Sequence, residues 1–119
     1  MTFLAADQSE MGHRGFSVEF ENGYTVSVQW GWMNYCSNRS VAAQYISSHE
    51  ERLETPFRSK TAEVLLTYRG APIGVNRFPY GLFGAWKHSF DDFGVAANLS
   101  AESVAKFLSD VAYLTEGPI

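Results

Sequence analysis

Gly15-Phe-Ser-Val-Glu-Phe-Glu-Asn-Gly-Tyr-Thr-Val-Ser-Val-Gln-Trp-Gly-Trp32 decides the fold. Phe16, Val18, Phe20, Tyr24, Val26, Val28, Trp30 and Trp32 are apolar, while Ser17, Glu19, Thr25, Ser27 and Gln29 between them are polar. Alternation at period two marks strands with one buried face. The register follows from the turn. A two-residue Asn22-Gly23 loop would set Phe20 opposite Thr25 and mix the two sets, because opposed residues share a face of the sheet. A three-residue loop, Glu21-Asn22-Gly23, pairs Phe20 with Tyr24, Val18 with Val26 and Phe16 with Val28. That loop closes on a left-handed residue, which Gly23 supplies.

Working outward, residues 1–14 are unpatterned and read as a loose arm that could add a short strand. Downstream, Met33-Asn-Tyr-Cys-Ser-Asn-Arg39 reads as a polar-aromatic loop. Ser40 either caps a short helix with Val41, Tyr45, Ile46, His49 and Leu53 on one face, or begins an irregular Ser-rich loop. Thr55-Pro56 ends that segment in either case. Ala62–Arg69 is a second strand. Its return over Ile73–Phe78 pairs Tyr68 with Ile73 and Leu66 with Val75, with Pro72 at the edge. The Gly- and aromatic-rich run 79–94 reads as a loop holding a short strand near Phe83–His88, and Val95–Leu99 as a connector.

The closing element is an amphipathic helix over about residues 101–115. Ser100 is its N-cap, Leu99 and Val104 form a hydrophobic staple, and Val104, Phe107, Leu108, Val111 and Leu114 make its stripe. Glu102 and Lys106 stand at ion-pair spacing, and Gly117-Pro118 stops the helix. The expected fold is therefore one α+β domain over residues 1–119. Its antiparallel sheet has about four to five strands, built from two hairpins and covered by the C-terminal helix.

At 119 residues the chain is long enough to bury its own core. A net charge of −4 argues against non-specific binding to nucleic acid or anionic lipid. No run approaches a membrane span, and the first residues lack the basic lead and apolar core of a signal peptide. The expected setting is cytoplasmic, without membrane or direct nucleic-acid partners. A single cysteine, Cys36, rules out an internal disulfide.

Chemistry-bearing motifs are absent: no phosphate-cradling glycine loop, no nucleophile elbow, and no Cys or His pairs at metal spacing. His13, His49 and His88 are scattered. Cys36 with a distant histidine could serve as a nucleophile, but a small packed residue is the simpler reading. Asp91-Asp92 could be a catalytic carboxylate pair, but neighbouring side chains diverge, so a solvated turn is preferred. The expectation is a protein without catalysis and without cofactor.

Two polar-aromatic stretches are candidate binding surfaces. The first offers Trp32, Asn34, Tyr35, Asn38 and Arg39 at the end of the hairpin. Trp30, just before it, belongs to the core. The second offers Arg77, Tyr80, Trp86 and Lys87, with Phe83 and His88 between and beside them. Such side chains stack on planar ligands or anchor partner proteins.

The run Phe20-Glu-Asn-Gly-Tyr-Thr-Val-Ser-Val-Gln-Trp-Gly31, with Asn34-Tyr-Cys-Ser-Asn-Arg39 after it, resembles a group of small proteins carried by bacteriophages and prophages. Ala62-Glu-Val-Leu-Leu and Leu99-Ser-Ala-Glu-Ser-Val-Ala-Lys-Phe-Leu extend the resemblance to the second strand and closing helix. Met33 departs from the small residue expected after the hairpin. The resemblance brings no catalytic residues. It implies an accessory gene of a phage or mobile element, a class that includes anti-defence proteins such as anti-CRISPR proteins and nucleotide-signal sponges.

The leading expectation is thus a phage-encoded protein that inhibits a host or defence-system protein by contact, in the bacterial cytoplasm. The alternative is a sponge in which Trp32, Tyr35, Arg39, Arg77 and Trp86 hold a nucleotide signal; so few basic residues count against it. A third reading is a small enzyme acting through Cys36 and a histidine. An exposed edge strand and surplus aromatics also suit a homodimer.

Overall fold

The computed structural model describes residues 1–5, 15–31, 36 and 59–119. Over these residues the chain forms an antiparallel sheet with helices packed on one face, an α+β fold. Strands β1 (Thr2–Ala5), β2 (Gly15–Glu19), β3 (Tyr24–Gln29) and β4 (Thr61–Tyr68) lie side by side in chain order. The far edge of β4 is shared by the short β5 (Ala71–Pro72) and by β6 (Val95–Ser100). A 3-10 turn (Val75–Arg77), helix α1 (Tyr80–Trp86) and helix α2 (Ala101–Ala112) complete the fold.

The opening hairpin has the register that its alternation demands. Phe16 faces Val28 and Val18 faces Val26. The Phe20 amide donates to the Tyr24 carbonyl oxygen at 2.8 Å, and Gly23 closes the loop at φ 97°. The apolar set then continues across β4, where Val26 faces Leu66 and Val28 faces Val64. Tyr24, Val26, Val64 and Leu66 are fully buried. The arm does add a strand: Thr2–Ala5 pairs antiparallel with β2.

Three expectations downstream are corrected. Ile73–Phe78 does not return as a strand. The turn at Arg69-Gly70, with φ 49° and 87°, sets Tyr68 opposite Ala71 and Thr67 opposite Pro72. The ladder then stops, because β6 takes the rest of that edge, pairing Leu65 with Val95 and Val64 with Ala96. Leu66 marks the changeover. Its amide donates to the Gly94 carbonyl, while its own carbonyl accepts from Ile73. Two segments competed for one strand edge, and the alternation of each alone does not say which wins.

Val95–Ser100 is accordingly a strand, not a connector. Its register against β4 slips by one residue between Ala62 and Val64. Asn98 lies at this bulge with φ 56°, a left-handed conformation that Asn tolerates better than most residues, and its side-chain oxygen accepts from the Thr61 hydroxyl at 3.2 Å.

Residues 80–86 form a helix instead of the expected loop with a strand over Phe83–His88. Gly81 and Gly84 are poor helix formers, so local propensity points the wrong way. Burial of Leu82 and Trp86, four residues apart on one face, overrides it. Gly81 also lies close to Leu114: a β-carbon there would come within 2.8 Å of Leu114 Cδ2, so that side chain would have to shift.

Helix α2 starts as expected, with the Ser100 hydroxyl accepting from the Ser103 amide at 3.2 Å. Val104, Phe107 and Val111 are buried along its face, with Leu114 just past its end. Lys106 pairs with Asp110 at 2.7 Å, at the same spacing as the expected Glu102 pairing but in the other direction. The helix ends at Ala112, one turn sooner than the apolar stripe suggests. Phe107 joins an aromatic cluster with Phe90 (4.6 Å), Trp86 (4.9 Å) and, through Phe90, Phe78. Truncating a ring so enclosed typically costs about 3–5 kcal/mol.

Candidate functional site

The first candidate surface, Trp32, Asn34, Tyr35, Asn38 and Arg39, lies outside the described residues, as does the segment 40–54. Cys36 within it is described: it is buried and its thiol donates to the Gly31 carbonyl at 3.5 Å. That is the geometry of a packed residue.

The second candidate surface is described throughout. Its residues come from the 3-10 turn and α1, and the structure sorts them into two groups. Trp86 turns inward. Only 5% of it is exposed, its ring meets Phe107 edge-on, and its indole N–H donates to Asp110 Oδ2 at 2.8 Å. It is a core residue and not a stacking platform. Burial pushes the Asp110 carboxyl upward, but the hydrogen bonds from Lys106 and Trp86 and the Lys106 charge outweigh it. The net pKa lies below the ordinary carboxylate value.

Tyr80, Phe83 and Lys87 point the other way. Tyr80 is 83% exposed at the first turn of α1. Phe83 is exposed one turn on, and the Lys87 ammonium lies 5.8 Å from its ring centre. His88 follows, also exposed. Arg77 is exposed as well. Its Nε donates to the Ile119 main-chain oxygen at 3.2 Å, and its carbonyl accepts from the Ile119 amide at 2.9 Å. Residues 117–119 are thereby laced to the 3-10 turn.

A residue that sequence reasoning missed joins this surface. Tyr113, just past α2, is 84% exposed. Gly81 packs against Leu114, so the start of α1 meets the end of α2. Tyr80 and Tyr113 are the chain neighbours of that contact. The signal available in the sequence was that Tyr113 falls off the apolar stripe of its helix.

A separate shallow depression on the polar side of the sheet is lined by Glu63, Asp91, Phe93, Val95 and Ala97. Asp91 is a turn residue, as expected. Its Oδ1 accepts from the Phe93 and Val95 amides at 2.8 and 2.9 Å. Among the described residues no three His, Cys, Asp or Glu side chains gather as metal ligands, and no helix is long and apolar enough to cross a membrane.

Comparison with protein-family models, curated proteins and solved structures found no match to this chain.

Proposed function

We propose that this chain is a binding protein, without catalysis, that inhibits a host or defence-system component by direct contact and is encoded by a phage or mobile element. The observation that carries the contact reading is the aromatic exposure on α1, where Tyr80 and Phe83 stand one turn apart, with Tyr113 also more than four-fifths exposed. Large aromatics fully offered to water do nothing for the fold, and tyrosine is among the residues most enriched at interface hot spots. Arg77 widens the same surface. The phage origin rests on the sequence resemblance alone.

The nucleotide-sponge reading is the weaker one. Of its five residues, Trp86 has its indole face and N–H committed to Phe107 and Asp110. Arg77 already gives one N–H to Ile119.

The test is affinity capture from host lysate with the wild type and with a Tyr80→Ala, Tyr113→Ala double variant. A specific protein held by the wild type and released by the variant is expected. Tight binding of a nucleotide metabolite, with no specific protein captured, would favour the sponge and sink the contact reading.

A further inference from the structure

The charge around this surface identifies the chemistry of its partner. The chain carries net charge −4, with thirteen acidic residues against nine Lys and Arg. Residues 69–90 nevertheless contain no Asp or Glu, while holding Arg69, Arg77 and Lys87. Among the described residues, no Asp or Glu side chain pairs with any of these three cations. Lys106, by contrast, is satisfied by Asp110. Arg69 lies over its neighbour Tyr68, Lys87 over Phe83, and Arg77 spends only its Nε on Ile119.

Gly117 lies against the Tyr68 hydroxyl and Ile119 is bonded to Arg77, so residues 117–119 run between Arg69's neighbour and Arg77. Arg77 and Lys87 bracket α1, whose seven residues span about 10 Å. Exposed Tyr80 and Phe83 lie between them.

We infer that this face receives an acidic segment of a partner protein, with carboxylates on Arg77 and Lys87 and an apolar side chain laid over Tyr80 and Phe83. The inference rests on the contact reading above and names its partner class. In polyproline-II conformation, where every third side chain returns to one face, the span of α1 corresponds to about three residues, so the segment would carry Asp or Glu at every third position. Cations with no acidic side chain on them, beside exposed rings, attract such a segment on both counts: ionic complementarity steers and orients it, and ring burial holds it.

The experiment is fluorescence anisotropy with a short labelled peptide repeating Glu-Leu-Ser, the same peptide with Lys for Glu, and labelled oligothymidine. The full chain should bind the Glu peptide, more weakly as salt rises, and ignore the Lys peptide. Arg77→Glu and Lys87→Glu should each weaken binding about tenfold. Lys60→Glu, at the opposite end of β4 from Arg69, should leave it unchanged, with thermal melting confirming that all variants fold. No binding of the Glu peptide at low salt, binding untouched by either reversal, or tighter binding of oligothymidine overturns the inference. Lysate capture separates the two claims. Capture lost in the Tyr80/Tyr113 variant but intact in both charge reversals removes the acidic segment and leaves the contact reading. Capture intact in all variants removes both.

Discussion

Asn22, at the tip of the β2–β3 hairpin, donates its side-chain amide to the Val111 carbonyl at 2.8 Å and to the Leu114 carbonyl at 3.0 Å. The turn of the first hairpin thus caps the end of the last helix, adding to the bond that the Val111 carbonyl accepts from the Leu114 amide at 3.1 Å. Its Oδ1 also accepts from the Tyr24 amide at 3.2 Å. One side chain serves both the turn and the helix end.

Replacing Asn22 should therefore destabilise the whole fold. Asn22→Ala is expected to cost about 1–3 kcal/mol, since it removes both part-buried bonds from the turn to the helix end. Asn22→Asp keeps the turn acceptor but loses both donors, and sets a negative charge at a helix C-terminus. It should cost at least as much as alanine. Urea unfolding of the three proteins checks the order; an aspartate variant as stable as wild type would refute the capping role.

Asp110 ties α1 to α2 by accepting from both Trp86 and Lys106. Its pKa is lower folded than unfolded, so the folded state holds fewer protons as the carboxyl titrates. The stability it gives is present above the ordinary value of 3.8 and is lost as pH falls through the lowered one. Asp110→Asn should flatten that acid limb, because it no longer titrates. Asp110→Ala should in addition cost about 1–3 kcal/mol at neutral pH by leaving the Trp86 N–H unpaired. Denaturant midpoints between neutral and strongly acidic pH measure both effects.

Tyr24 gives the opposite signature at high pH. Burial, then the nearby Tyr68 and Glu116, push its phenol from 10.0 to about 12. The folded state keeps the proton longer than the unfolded chain, so stability is full below 10 and declines as pH rises toward 12. Tyr24→Phe should remove that share of the alkaline loss. At neutral pH it should cost about 1 kcal/mol, for the hydroxyl's bond to the Glu116 carbonyl at 3.1 Å. Melting temperatures followed from neutral to alkaline pH test both statements.

Two glycines with similar backbone angles should respond differently to alanine. Gly70, at φ 87°, has nothing near an added β-carbon, so Gly70→Ala should cost about 1 kcal/mol of backbone strain. Gly94, at φ 82°, would set that carbon 2.7 Å from the Ile73 carbonyl oxygen and 2.9 Å from that of Leu66. Gly94→Ala should cost about 3 kcal/mol or more. Equal effects in urea unfolding would mean that the crowding at the β5–β6 changeover is relieved without cost.

Period-two alternation over 16–28 fixed the hairpin register, because slipping by one residue would turn Val18, Val26 and Val28 to the polar side. Ser100 and the stripe Val104, Phe107, Val111 marked α2 for an equally local reason, a cap followed by an apolar face at helical spacing. In the candidate site, residue type alone marks Arg77, Tyr80, Trp86 and Lys87. Arg77, Tyr80 and Lys87 are exposed, but Trp86 is buried, since an indole suits a core as well as a surface until its neighbours are known.

What the sequence by itself determined is the set of elements whose pattern is longer than their ambiguity: the β2–β3 hairpin, β4 and the closing helix. Only the tertiary structure decided which segment occupies the free edge of β4, whether the glycine-rich run at 80–86 coils into a helix, and which side chain closes α2. Each of those outcomes depends on a partner distant in the chain: Val95 against Leu65, Leu114 against Gly81, Asn22 beneath Val111. Local propensity is worth tenths of a kcal/mol to about 1 kcal/mol per residue, whereas burying Leu82 and Trp86 is worth several, so the distant contacts prevail.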